Sequence, residues 1–105
     1  MRVRFLTPAR EELDGREELD GAVQYYDRQR FGLGQELADE LAAVVERIAS
    51  DPTSYEQIEP GIFRLSTRRF PYSVIYVVRS DGVLVVAFQH AKRRPGYWKR
   101  RLRQI

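Results

Sequence analysis

His90 is the only histidine in the chain, and it closes the apolar run VLVVAFQH (83–90). Cations follow at once: HAKRRPGYWKRR, residues 90–101, holds the single tryptophan and six of the eighteen Lys and Arg. An imidazole titrates near neutrality, and a guanidinium can hold phosphate through two parallel hydrogen bonds. His90, Tyr72 and Arg64 together have the parts for attack of a 2′-hydroxyl on an RNA phosphate. That reaction needs a base, an acid and positive charge at the phosphoryl oxygens. Tyr97 is a second candidate for moving a proton. Each residue also has a plainer reading: a lone His at a strand end is more often structural, a Tyr in an apolar strand is usually core, and Arg64 can pair with a helix carboxylate. No cysteine, second histidine or close carboxylate pair is present, so neither thiolate chemistry nor a metal site is expected. No glycine-rich phosphate loop or G-x-S-x-G occurs, and no cofactor is expected.

Whether these groups meet depends on the strands that carry them. IFRLS (62–66), YSVIYVV (72–78) and VLVVAFQH (83–90) read as strands, with Ser80-Asp81-Gly82 as a tight hairpin between the last two. YSVIYVV is apolar on both faces and belongs at the centre of the sheet. If Arg79 pairs with Val83, His90 falls opposite Tyr72. If the turn from 66 to 72 is symmetric, Ser66 falls near Tyr72 and Arg64 near Val74. Opposed residues share a face, so Arg64, Tyr72 and His90 would gather at one end of one face, and a slip of one residue would scatter them. Arg68, Arg69, Lys92, Arg93 and Arg94 surround that end.

Upstream, RVRFL (2–6) alternates and reads as a short first strand. Thr7-Pro8 with Glu11 and Glu12 starts a helix expected to run to about Arg30. It contains a direct repeat, EELDG at 11–15 and again at 17–21. Six residues turn a helix by about 600°, so the copies point in different directions. Leu19, Ala22, Val23 and Tyr26 make one apolar face, which assigns the second copy to the core and makes the first an exposed extension. Leu33, Leu37, Leu41, Val44, Val45 and Ile48 form the stripe of a second, antiparallel helix that stops at Ser50-Asp51-Pro52. Residues 53–61 read as loop. The expected fold is a single α+β domain over 1–105, in the order β-α-α-β-β-β, with a helical hairpin packed on a small, mostly antiparallel sheet.

Charge is divided along the chain. Residues 1–60 carry seven basic and fourteen acidic side chains; residues 61–105 carry eleven basic and one acidic, Asp81. That split suggests two faces with different partners, or a solvated basic surface. The first residues carry charge and no long apolar run, unlike a signal peptide, and no stretch is long enough to span a bilayer; a soluble cytoplasmic protein is expected.

The ordered set of segments resembles the ParE/RelE superfamily of toxins from bacterial type II toxin–antitoxin modules, and most strongly its ParE-like, plasmid-stabilisation branch. AREELDG…AVQYYDRQRFGLGQEL resembles the family's helical hairpin, with Tyr25-Tyr26 and the FGLG turn. IASDPTSYEQIEPGIFRLSTRRFPYSVIYVV resembles its Pro-containing loop, Arg-bearing strand and FPY strand, and FQHAKRRPGYW its ending. The family pattern has one copy of EELDG; this chain has two. The resemblance implies a toxin neutralised by a cognate antitoxin. ParE-type members act on DNA gyrase without evident nuclease chemistry, which is the reading adopted for this chain. RelE-type members cleave messenger RNA on the ribosome, and under that alternative His90, Arg64 and Tyr72 would be the catalytic set. Target or antitoxin binding would fall to Arg68, Arg69, Lys92, Arg93, Arg94, Tyr97 and Trp98. Tyr97 and Trp98 either tack the tail onto the sheet or meet a partner. A homodimer and a toxin–antitoxin hetero-oligomer both remain open.

Overall fold

The computed structural model describes residues 1–13 and 19–103, apart from the side chains of Leu13 and residues 19–23. In chain order the elements are β1 (Val3–Phe5), α1 (Thr7–Leu13), α2 (Leu19–Gln29), α3 (Leu33–Ser50), β2 (Glu56–Glu59), β3 (Ile62–Ser66), β4 (Tyr72–Arg79), β5 (Gly82–His90) and α4 (Lys99–Leu102). The strands form one sheet in the order β1-β5-β4-β3-β2, antiparallel throughout except for the parallel pair β1–β5. YSVIYVV therefore does lie at the centre. Two elements were not expected. The segment EQIE, read as loop, is the edge strand β2, with Gln57 opposite Phe63. Its one apolar residue gives no alternation to read, and its hydrogen-bond partners come from β3. A charged, short edge strand also resists pairing with other chains. The short helix α4 lies in the run that had looked like a basic tail.

The stripe on α3 is as expected: Leu37, Leu41, Val44 and Ile48 are buried, and Leu33 and Val45 pack beside them. They meet Tyr72, Val74, Tyr76, Val85 and Phe88 on one face of the sheet. The helix pair turns at Gly32, whose φ of +85° suits glycine, and the first turn of α3 is held by Asp27 accepting from the Gly34 N–H at 2.8 Å. The opposite face carries Ile75, Val77, Leu84, Val86 and Ala87. It is covered by the chain's own C-terminal segment, with Trp98 only 2% exposed and Tyr97 and Leu102 packed around it.

The described start of the repeat's first copy is no exposed extension. Ala9 is fully buried and Glu12 is 1% exposed. A buried carboxylate must be paired and hydrogen-bonded, and Glu12 is. β1 ends at Phe5, and beyond it the edge of β5 is taken up by side chains. Glu12 Oε1 accepts from the Phe88 N–H at 3.2 Å, and Oε2 accepts from the Tyr97 hydroxyl at 2.7 Å. Arg101 grips both oxygens, at 2.9 and 3.3 Å, and donates to the Val86 carbonyl at 2.8 Å. Hydrophobic periodicity is blind to such a residue, because it scores Glu as solvent-facing. The comparison of Leu13 with Leu19 lies outside the described side chains, as do the positions of Ala22 and Val23.

Replacing Glu12 with Ala strands the Arg101 charge in a largely buried setting and should cost about 3–5 kcal/mol in urea unfolding. Deleting Glu11–Arg16 instead joins Arg10 to Glu17 and puts Glu18 in the sequence place of Glu12, so it should cost no more than about 1–2 kcal/mol. A deletion as damaging as Glu12→Ala would show that the second copy cannot stand in for the first.

Candidate functional site

β4 and β5 bring Tyr72 opposite His90, as expected, but by another route. The hairpin is one residue tighter than read, pairing Arg79 with Gly82. Gly82 has φ +142°, and a Cβ there would run into the Arg2 carbonyl, which accepts from the Val83 N–H at 2.8 Å. Glycine thus lets β1 close on the start of β5. Further along, Ile75 faces Ala87 while Tyr76 faces Val85, leaving Val86 as an extra residue. That bulge offsets the tighter turn and restores the Tyr72–His90 pair.

The β3–β4 turn has no such compensation. Ser66 pairs with Ser73 and Arg64 with Ile75, one residue away from the symmetric turn. The Thr67 N–H closes on the Tyr72 carbonyl at 3.0 Å, and the Thr67 hydroxyl donates to the Phe70 carbonyl at 2.6 Å. Glu40, reaching across from α3, accepts from the Arg68 and Arg69 N–H groups at 3.1 and 3.3 Å. The turn geometry is fixed by these bonds and not by strand symmetry. One residue of register moves a side chain to the other face, so Arg64 lies on the Ile75 side, paired with Glu56 at 2.8 Å. The expected trio of Arg64, Tyr72 and His90 on one face is therefore not assembled.

What Tyr72 and His90 do form is the wall of a cleft of about 490 Å³, completed by Tyr25, Tyr26, Pro71 and Lys92. The Tyr72 and His90 rings meet edge to face with centroids 4.9 Å apart, and Tyr26 meets Tyr25 and Phe70 in the same way. Tyr25 is 55% exposed at the mouth. Burial, reinforced by Tyr26, pushes the Tyr72 hydroxyl up to about 12. Burial, with the Lys92 charge added, lowers the His90 pKa below the usual 6.5. Nδ1 of His90 accepts from the Lys92 N–H at 2.9 Å, which leaves the neutral ring its proton on Nε2. A neutral imidazole held this way carries its N–H on Nε2 and is a poor base, and a tyrosine near 12 stays protonated at neutral pH.

The remaining candidates separate by position. Arg69 is tied to Glu36 and Glu40 at 2.8 and 2.7 Å and pins the turn to α3. Arg68 and Lys92 are exposed beside the turn and the cleft. Arg93 stacks on the Tyr97 ring at 3.9 Å, and Arg94 is exposed. Trp98 is a core residue, its Nε1 donating to Gln89 Oε1 at 3.2 Å, and Tyr97 is given to Glu12. Both tack the tail onto the sheet. The cleft residues Tyr25, Tyr26 and Pro71 were not read as a site. The signal was there in Tyr25-Tyr26, since adjacent helical residues cannot both face one core. Among the described residues no group of His, Asp or Glu could hold a metal ion, and no helix is long and apolar enough to cross a membrane.

Solved structures share this architecture. The chain superposes on a protein of the chromosomal ParDE toxin–antitoxin system from P. aeruginosa with a TM-score of 0.67 and 14% identity, over 88% of this chain and 97% of that one. It superposes on the isolated E. coli RelE toxin with a TM-score of 0.60 and 17% identity, over 98% and 97%. At such identities the likeness is one of fold. Residues 6–95 match the model of the ParE toxin of the type II toxin–antitoxin system parDE, and the chain belongs to that family. No curated protein matches it in sequence.

The His90 pKa fixes the sign of one pH effect. The unfolded chain takes up a proton near 6.5 and the folded chain only below that, so stability from neutral His90 is present above 6.5 and lost as pH falls towards the folded value. The stability advantage of the wild type over His90→Gln should shrink as urea unfolding is moved from about pH 7.5 to pH 5.5. A difference independent of pH would show that the ring is not held in this way.

Proposed function

We propose that this ParE-family toxin arrests growth by binding DNA gyrase in the cytoplasm, and that a cognate antitoxin silences it. The observation that favours a binder over a nuclease is the register of β3: Arg64 sits on the face opposite His90, and the phosphate-holding group of the RNA-cleavage scheme is missing from the histidine's side. The capped Nδ1 of His90 and the high pKa of Tyr72 point the same way. Membership of the ParE family supports gyrase as the target, and messenger cleavage belongs to the RelE-type alternative. The aromatic cleft is the natural seat for an apolar segment of the antitoxin, with exposed Tyr25 as an anchor, since buried aromatic contacts dominate such interfaces.

The test is induction without antitoxin, followed in parallel by plasmid supercoiling and messenger integrity. Growth arrest with loss of supercoiling and intact messenger is expected, and His90→Ala should change toxicity only as far as it changes stability, by about 1 kcal/mol. Ribosome-dependent messenger cleavage that disappears in a well-folded His90→Ala protein would establish the nuclease reading instead. For the antitoxin, Tyr25→Ala should weaken binding about tenfold or more, equal to some 1.4 kcal/mol. Unchanged affinity would place the antitoxin elsewhere.

A further inference from the structure

Six cations among the described residues are shown paired with a carboxylate: Arg4 with Asp81, Arg30 with Glu36, Arg64 with Glu56, Arg69 with Glu36 and Glu40, Lys99 with Glu59 and Arg101 with Glu12. Arg94, Arg100 and Arg103 have no ion pair among the described residues, and all three are exposed. They line one open recess of about 500 Å³ around Gly96. This is no loose tail. The segment beneath is fixed by the buried Trp98, by the Tyr97 hydroxyl on Glu12 and by the Arg101 grip on Glu12 and the Val86 carbonyl. Three guanidinium groups are thus carried on a platform anchored to the core, so less freedom is lost when they bind.

The recess tells against an acidic peptide. Peptide segments gain most of their affinity from apolar anchors. The aromatic ring available here, Tyr97, already has the Arg93 and Arg101 guanidinium groups over it at 3.9 and 5.2 Å. A phosphate backbone needs no such anchor. It asks for guanidinium donors on a rigid, solvent-open surface, and arginine keeps its charge at any physiological pH.

We propose that Arg94, Arg100 and Arg103 form a site for the sugar–phosphate backbone of nucleic acid, separate from the aromatic cleft and read without regard to base sequence. The site does not depend on gyrase being the target. It would let the toxin hold a nucleic acid that lies beside its protein target. The test uses the purified full chain and fluorescence anisotropy with a labelled mixed-sequence DNA duplex of about 20 base pairs and an RNA strand of about 20 nucleotides, from about 50 to 200 mM KCl. With three phosphates neutralised, the log–log salt slope should be about −2.7 for the duplex or about −2 for the single strand. Whichever probe binds more tightly names the source of the phosphate. Arg94→Gln, Arg100→Gln and Arg103→Gln together should weaken binding at least tenfold and flatten the slope. The same protein should keep its melting temperature. No binding at about 50 mM salt would overturn the proposal, as would a triple variant that binds like the wild type. Displacement of the probe by poly-glutamate as readily as by unlabelled duplex would overturn it too, and give the surface to an acidic peptide.

Discussion

A carboxylate buried inside a protein has to be surrounded by donors, and among the described residues the buried carboxylate is Glu12. Its donors come from three distant places: the Phe88 N–H on β5, the Tyr97 hydroxyl in the tail, and the Arg101 guanidinium on α4. Meeting that one requirement fastens α1 to the sheet and folds the C-terminal segment back over it. Trp98 can then enter the core, and the second apolar face of β4 and β5 is covered from within the chain. A pair of this kind adds little over a well-packed apolar substitute, yet it is costly to break. Its value here lies in specifying one docking position for a segment that would otherwise be a basic, solvated tail.

The same logic accounts for the charge split. Residues 1–60 are acidic and residues 61–105 basic, but the two halves do not simply form opposing faces. Glu12 is spent on Arg101, Glu36 and Glu40 on Arg69, Glu56 on Arg64 and Glu59 on Lys99. Most of these pairs are exposed and stabilise little individually. Taken together they draw the second half of the chain onto the first. Among the described residues Arg94, Arg100 and Arg103 are left without a carboxylate and gather around one recess, and the aromatic cleft at the end of β4 and β5 is left as a separate surface. A protein that must be held silent by one partner and act on another has use for two such surfaces.

Register decides what those surfaces contain. In the β4–β5 hairpin the turn is a residue tighter than symmetry suggests and the bulge at Val86 makes up the difference, so Tyr72 and His90 meet. In β3–β4 the turn is displaced by one and nothing compensates, so Arg64 goes to the far face. The chemistry available at the cleft therefore turns on a four-residue turn tied down by Thr67 and Glu40.

Apolar periodicity alone determined a good deal. The α3 stripe, the central place of YSVIYVV and the α+β order are legible because helices and strands repeat their buried positions every 3.6 and every two residues. The ordered motifs carried the family, whereas counting along the hairpin reached the Tyr72–His90 pair only because the bulge at Val86 offsets the tighter turn. Three things belonged to the tertiary structure. β2 exists because β3 offers it hydrogen bonds, although EQIE carries no strand pattern of its own. Arg64 left the histidine's side because a turn's length is set by bonds from Thr67 and from Glu40 on a distant helix. Glu12 is buried because its donors lie 76 to 89 residues away along the chain. No local pattern records that kind of pairing, since a carboxylate reads as surface until the fold brings its cation and hydroxyl to it.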